Sequence, residues 1–412
     1  METDTSENNS QKFLYIALAT GFTARILFLI FFTDLNNLEF YEYGAIAQNL
    51  HAGNGYSLFY FSGDKIEYKF NPDVKPFASA YIPPGYVFFL YPFYFINDLG
   101  IRNLFIIFFQ ILISIFVILL LYKFTELLFD KKAALTAAFI YALLPEFIVA
   151  VNSINIVTFF HGGVLIIFIL LNNIIFHQVN YRRWIFIGIT FGVFILFRGE
   201  ELLFLFTVIL YFLTKRLFKP SLIILAVSLI TIFPWQLRNM SVFEELVPLS
   251  TSFGVNFYRG HNPYAVGVWA DDEIAAQLKK YKDKANFELK MNQTMFSFGI
   301  QSIKQNPARD LLLSIEKIIY LWLFDYNNPR TFHALYLIPA FALIIFFIIG
   351  VYKFFSWEKH KYILFFLMYF TFITFIFFTL SRYQTMMKIA LIPFGAKGLL
   401  MVSEKLYARF KN

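Results

Sequence analysis

The chain has 412 residues, of which 58% are hydrophobic, 21% aromatic and only 15% charged, against about one-quarter charged in an ordinary soluble chain. Its formal net charge is +8, but the basic residues fall in short clusters between apolar runs, a pattern of membrane orientation and not of nucleic-acid binding. With no cysteine there is no disulfide framework, no thiolate nucleophile and no cysteine metal site, and the composition is that of an all-α polytopic membrane protein.

Met1 to Gln11 is polar and acidic, and no small-residue cleavage site follows the next apolar run. Phe13 to Phe32 is therefore expected as a retained first span, interrupted only by Arg25. With Lys12 inside, it delivers a polar loop to the outer side. That loop, residues 34–100, carries Asp34, Glu39 and Glu42, the glycine turn Gly53-Asn-Gly55, Lys75 and a rigid Pro83-Pro84-Gly85. In so apolar a chain three acids beside a membrane boundary are costly unless they act, which makes this loop the candidate active site.

Tyr86 to Ile96 is short and holds Pro92, so it is expected to lie at or dip into the membrane, with a short true span as the alternative. Leu104 to Leu121, Ala133 to Ala150, Ile156 to Ile175, Trp184 to Phe197, Leu202 to Leu213 and Leu222 to Trp235 follow as spans. The charge rule then puts Lys123, Lys131, Lys132, the His177 to Arg183 turn, Lys215, Arg216 and Lys219 inside. Gln236 to Arg330 is a long polar insertion, with amphipathic helix expected between Asp271 and Arg309. Asp310 to Phe324 is apolar at helical spacing and suits the membrane interface. Phe332 to Tyr352, Tyr362 to Leu380 and Ile389 to Val402 complete ten spans, both termini inside. The expected division is a transmembrane module over 1–235, an extracytoplasmic loop over 236–330 and C-terminal transmembrane helices over 331–412.

On this topology Glu39, Glu42, Lys75, Arg198, Glu200, Arg238, Arg259, Arg382 and Lys388 share the outer side. A few acids facing several guanidinium and ammonium groups would suit a phosphate-bearing lipid substrate with a reaction centre beside it. Headgroup anchoring or ion pairing between loops is the plainer account of any one of them. There is no Walker-type loop and no His-Glu-x-x-His. Asn152, Asn155 and His161 read as helix-capping or helix-bridging groups before ligands.

The spacing Glu39-x-x-Glu42-Tyr43-x-x-Ile46-Ala47-x-x-Leu50-x-x-Gly53-x-Gly55-Tyr56 resembles the first extracytoplasmic loop of the C-type (GT-C) membrane glycosyltransferases. Specifically, it resembles the bacterial group related to protein O-mannosyltransferases and lipid A aminoarabinose transferases. Further blocks agree in order: Lys75-Pro76-x-Ala78 with Pro83-Pro84-Gly85-Tyr86, Pro234-Trp235-Gln-Leu-Arg238-Asn239, Val247-Pro248, Gly260-His-Asn262-Pro263, Asn306-Pro307 and Ser381-Arg382-Tyr383.

The resemblance implies a GT-C-like fold of about 10–12 transmembrane helices. It also implies an inverting transfer of one sugar from a polyprenyl-phosphate-linked donor to a lipid, glycan or protein acceptor, at the outer face of a prokaryotic plasma membrane. Glu39 stands where the family has its acceptor-activating acid, usually Asp; Asp34 and Glu42 are the alternatives. Lys75, Arg238 and Arg382 match positions implied to hold the lipid phosphate, and Tyr43, Tyr81, Arg198, Glu200 and Arg259 are placed with the donor. Arg198-Gly199-Glu200 replaces the Arg-Pro-Glu common in relatives. Val151 to Asn155 lacks the second acid that some relatives carry, so neither a metal nor another cofactor is expected, and no nucleic acid. A flippase or exporter of lipid-linked sugars, or an inactive scaffold of the same fold, is the competing reading.

Overall fold

The computed structural model of the chain describes residues 2–63, 65–176, 181–262, 286–323 and 332–411. The amphipathic stretch expected from Asp271 lies outside these residues as far as 285, as do Pro263, the start of the turn at His177, and residues 324–331.

The long apolar runs form helices, as they must where no water can satisfy the backbone, and shorter or more polar helices lie between them. They are α1 (Glu2–Phe32), α2 (Tyr41–His51), α3 (Gly85–Leu90, continued by a 3-10 turn over Tyr91–Phe95), α4 (Leu99–Leu128), α5 (Lys131–Leu143), α6 (Pro145–Val151), α7 (Val157–Phe176), α8 (Tyr181–Phe197), α9 (Glu201–Thr214) and α10 (Phe218–Phe243). After them come α11 (Phe253–His261), α12 (Phe287–Gln305), α13 (Pro307–Trp322), α14 (Ala334–Phe354), α15 (Trp357–Ile376) and α16 (Ser381–Lys411). Asp98 and Asp130 start α4 and α5 by accepting the Ile101 and Ala133 amides at 2.8 and 2.9 Å.

Six helices among the described residues are long and apolar enough to cross a membrane, and seven if the bent pair α5 and α6 counts as one span. The six are Ser10–Phe32 within α1, together with α4, α10, α14, α15 and α16. Apolar stretches of α7 and α9, two of the ten expected spans, are too short to qualify by length, as is that of α3 with its 3-10 turn, which is expected to lie at or dip into the membrane.

The span expected over 133–150 is broken by 59° at Leu144. Pro145 has no N–H to continue α5, so the last carbonyls of α5 lose their partners. Arg25, wholly buried on α1, supplies them: its guanidinium donates to Ala142 O at 3.1 Å and Tyr141 O at 3.3 Å. The charge that interrupts the first apolar run thus fastens α1 to the α5 break.

At one end of the bundle the first loop folds back as a hairpin, β1 (Tyr60–Ser62) against β2 (Lys65–Glu67), antiparallel with Tyr60 opposite Glu67. Its aromatic residues pack with Phe287 at the start of α12; the Phe77 ring stacks on it at 5.0 Å. The loop after α10 is tied down by Trp235 Nε1, which donates to Leu249 O at 2.7 Å, and by the Asn239 amide on Val247 O at 3.2 Å. Helix α13 turns Asp310, Ser314 and Lys317 inward and leaves Leu311, Leu312, Ile315 and Ile319 exposed, an arrangement suited to a membrane interface.

Candidate active site

A cavity of about 520 Å³ opens where the first loop, the α8–α9 turn, the 248–259 segment and the start of α16 meet. Its charged lining is Glu42, Arg198, Glu200, Arg259 and Arg382; Leu203, Phe206, Phe253 and Ile373 give it an apolar wall.

Glu42 enters from the first turn of α2. The backbone just before it is unusual: Tyr41 adopts φ +48°, a left-handed conformation that bulky residues rarely take. Burial, then a hydrogen bond with the Glu39 carboxylate, pushes the Tyr41 phenol up to about 12. The next residue, Tyr43, meets Tyr86 edge-on at 5.1 Å, and burial raises its phenol. Arg382 acts electrostatically on both Tyr41 and Tyr43.

Arg198 is held from several sides. Its guanidinium lies over the Phe160, Phe370 and Tyr383 rings at 5.3, 5.1 and 4.8 Å, and its Nε is 3.4 Å from a Glu200 carboxylate oxygen. Glu201, the next residue, is buried and accepts the Tyr369 hydroxyl at 2.6 Å. Arg259 comes from α11 with its guanidinium over Phe378 at 5.9 Å. Three guanidiniums and two carboxylates therefore line one chamber beside an apolar wall, an arrangement able to hold an anion and accept a proton next to it.

Residues 83–237 match the family model of dolichyl-phosphate-mannose-protein mannosyltransferases. The whole chain superposes on the oligosaccharyltransferase of Archaeoglobus fulgidus in complex with an inhibitory peptide and a dolichol-phosphate, with TM-score 0.61 and 15% identity over 99% of this chain and 52% of that one. The chain has the GT-C fold. A second structure of an Archaeoglobus fulgidus oligosaccharyltransferase, tethered to an acceptor peptide, gives TM-score 0.59 at 18% identity over 97% of this chain and 50% of that one. The present GT-C chain thus spans about half the length of those enzymes. ArnT from Cupriavidus metallidurans bound to undecaprenyl phosphate aligns at TM-score 0.42 and 12% identity over 94% of this chain and 77% of that one, too distant to bear on the fold. No curated protein matches by sequence.

Within this GT-C chain the cavity brings together Glu42, Tyr43, Tyr81, Arg198, Glu200, Arg259 and Arg382 from the residues expected at the site. Asp34, Glu39, Lys75 and Arg238 do not line it. Asp34 is exposed and accepts the Asn36 amide at 3.0 Å, shaping a turn. Glu39 is exposed and turned to Tyr41, and Lys75 is exposed on the first loop. Arg238 donates to the carbonyls of Ser79 and Tyr56 and stacks on Tyr56 and Trp235 at 5.3 and 5.1 Å, so it braces the first loop against α10. Lys388 is buried in a pair with Glu146, its Nζ 2.7 Å from the carboxylate. Among the described residues no three His, Asp or Glu side chains are grouped to hold a metal ion.

Three lining residues carried little signal in the sequence. Ser250, Ser252 and Asn256 line the cavity from a segment whose composition is ordinary for a loop. Asn155, which the sequence offers as a helix cap before a ligand, joins them from the α6–α7 connection. Tyr383 was visible only as part of the Ser381-Arg382-Tyr383 block.

Proposed function

We propose that this GT-C chain is an inverting glycosyltransferase that moves one sugar from a polyprenyl-phosphate-linked donor to an acceptor hydroxyl. We place the reaction at the outer face of a prokaryotic plasma membrane, the acceptor being a lipid, glycan or protein. The observation that carries the reading is the cavity itself, where Glu42 shares one chamber with Arg198, Arg259 and Arg382 next to an apolar wall. The dolichol-phosphate held by the Archaeoglobus fulgidus enzyme of the same fold supports a lipid-phosphate donor.

In this reading Glu42 takes the proton of the acceptor hydroxyl as its oxygen bonds to the anomeric carbon. The bond from that carbon to the phosphate oxygen breaks on the opposite side, inverting the centre, and the lipid phosphate leaves with the bonding pair. The guanidiniums stabilise the charge that develops there, Arg being suited to phosphate by its planar fork of donors. The isoprenoid tail lies along the Leu203, Phe206 and Ile373 wall.

The test is sugar release from a panel of polyprenyl-phosphate-linked sugars by the purified protein in nanodiscs, wild type against Glu42→Gln. Release by the wild type and its loss in the variant is the expected result. A folded wild type that moves intact lipid-linked sugars across the bilayer without releasing sugar would replace the enzyme with a transporter.

A further inference from the structure

The cavity's polar lining has two chemistries. Glu42, Arg198, Glu200 and Arg382 are charged and come from α2, the α8–α9 turn and α16, whereas residues 250–256 contribute neutral groups: two hydroxyls, Ser250 and Ser252, and the Asn256 amide. The Ser252 and Ser250 oxygens are 3.3 Å apart. Asn256 stands three residues after Phe253 and three before Arg259 on α11, so all three share one broad helix face, the face toward the cavity. Among the described residues the Asn256 side chain has no hydrogen-bond partner, although an amide can donate two bonds and accept two.

That face is held rigidly. A Cβ on Gly254 would stand 1.9 Å from Asn292 O, and one on Gly260 1.9 Å from Phe377 O, so α11 is wedged between α12 and the end of α15. Asn292 also accepts the Gly254 amide at 2.5 Å. At the other end of α11, His261 Nδ1 lies 2.7 Å from Asp310, its Nε2 is 2.6 Å from Ile376 O, and Lys317 Nζ donates to Phe377 O at 2.7 Å. An uncommitted amide fixed on such a support is preorganised for a ligand's hydroxyls.

Resting on the transferase reading above, the geometry points to residues 250–259 as the sugar subsite, with Asn256 as its specificity-determining residue and a hydroxylated sugar without a cationic amine as its ligand. Amide and hydroxyl groups both donate and accept, as sugar hydroxyls do. Arg259, the charged group of this segment in the cavity, repels an ammonium. The two cavity carboxylates are engaged elsewhere, Glu200 with Arg198 and Glu42 with the acceptor's proton, so neither is free to pair with an amino sugar.

The experiment measures affinity and release for polyprenyl-phosphate-hexose and polyprenyl-phosphate-aminopentose with the full chain in nanodiscs. Wild type is compared with Asn256→Ala and Asn256→Asp, and polyprenyl phosphate without a sugar serves as the control ligand. The wild type is expected to favour the hexose. Asn256→Ala weakens the hexose donor by about tenfold to a hundredfold and leaves sugar-free polyprenyl phosphate unchanged. Asn256→Asp, which sets a carboxylate near Arg259, moves the ranking toward the aminopentose, a gain that loss of folding cannot imitate. Release of hexose by the wild type with the same donor ranking in both variants would overturn the subsite and leave the transferase standing. So would a wild-type preference for the aminopentose. A wild type that releases neither sugar and moves the lipids intact overturns the transferase reading, and the subsite with it.

Discussion

Glu288, at the start of α12, accepts the backbone N–H of Ala80 at 2.8 Å across 208 residues of chain, and also the Thr251 hydroxyl. One carboxyl therefore clamps the first loop, which carries Glu42 and Tyr81, to the segment that carries Ser250 and Ser252. The group is wholly buried, and its second oxygen has no partner among the described residues. Burial pushes the carboxyl up to about 7, against the hydrogen bonds from Thr251, Ala80 and Ser79.

The sign follows from proton linkage. A carboxyl raised in the folded state binds more protons folded than unfolded between pH 4.5 and about 7, so stability falls as pH rises through that window. The full effect is on the order of 3 kcal/mol. Glu288→Gln keeps an acceptor for Ala80 and removes the titration, so thermal unfolding of the variant should lose its fall between pH 5 and 8. An unchanged pH profile would mean that Glu288 is ionised throughout.

Glu39 and Glu42 are separated by the left-handed turn at Tyr41, which leaves the first exposed and puts the second in the cavity. Glu42→Gln should lower sugar transfer by about 10²–10⁴-fold, the usual worth of a positioned base. Glu39→Gln and Tyr41→Phe should each lower it by less than about tenfold. Steady-state rates decide: a larger loss for Glu39→Gln would return the base to the residue that the family spacing indicates.

The helices were legible in the sequence because apolar runs in a chain this poor in charge can do little else, and the first loop was legible because its acids stood out. Partners far apart in sequence were not. Arg25 read as an interruption because the carbonyls it serves, on Tyr141 and Ala142, lie 116 and 117 residues away. Arg238 sits in a block whose resemblance implies a phosphate contact, yet its guanidinium donates to the Ser79 and Tyr56 carbonyls, a choice that side-chain direction makes and spacing cannot reveal. Glu288 lies among ordinary polar residues, so nothing but its burial marks it.

Arg198 depends on shape as well as charge, since three rings and Glu200 surround its flat guanidinium. Lysine keeps the charge but neither stacks nor forks. Arg198→Lys should therefore weaken donor binding by about tenfold or more, from the loss of ~1–2 kcal/mol of ring contact in a desolvated site. Titration with a fluorescent polyprenyl phosphate measures this, and an affinity equal to wild type would reduce Arg198 to a charge that any cation could supply.

Lys388, buried, and Glu146, whose side chain is 13% exposed, join α16 to the short helix after the α5 break and bond at 2.7 and 2.8 Å. Nearby, His161 Nε2 lies 3.0 Å from Thr385 O and its Nδ1 2.9 Å from the Tyr141 hydroxyl, so the pair sits in a connected polar layer. Removing one partner strands the other charge, and Lys388→Met alone should cost roughly 3–5 kcal/mol. The double variant Lys388→Met with Glu146→Leu should recover most of that loss, because a well-packed apolar pair can replace a buried ion pair. Its donor affinity should stay at the wild-type level, since neither residue lines the cavity. Thermal unfolding and lipid titration on the same samples separate the two effects: restored stability with lost affinity would make Lys388 a ligand-binding cation, and restored stability with full affinity leaves it a brace.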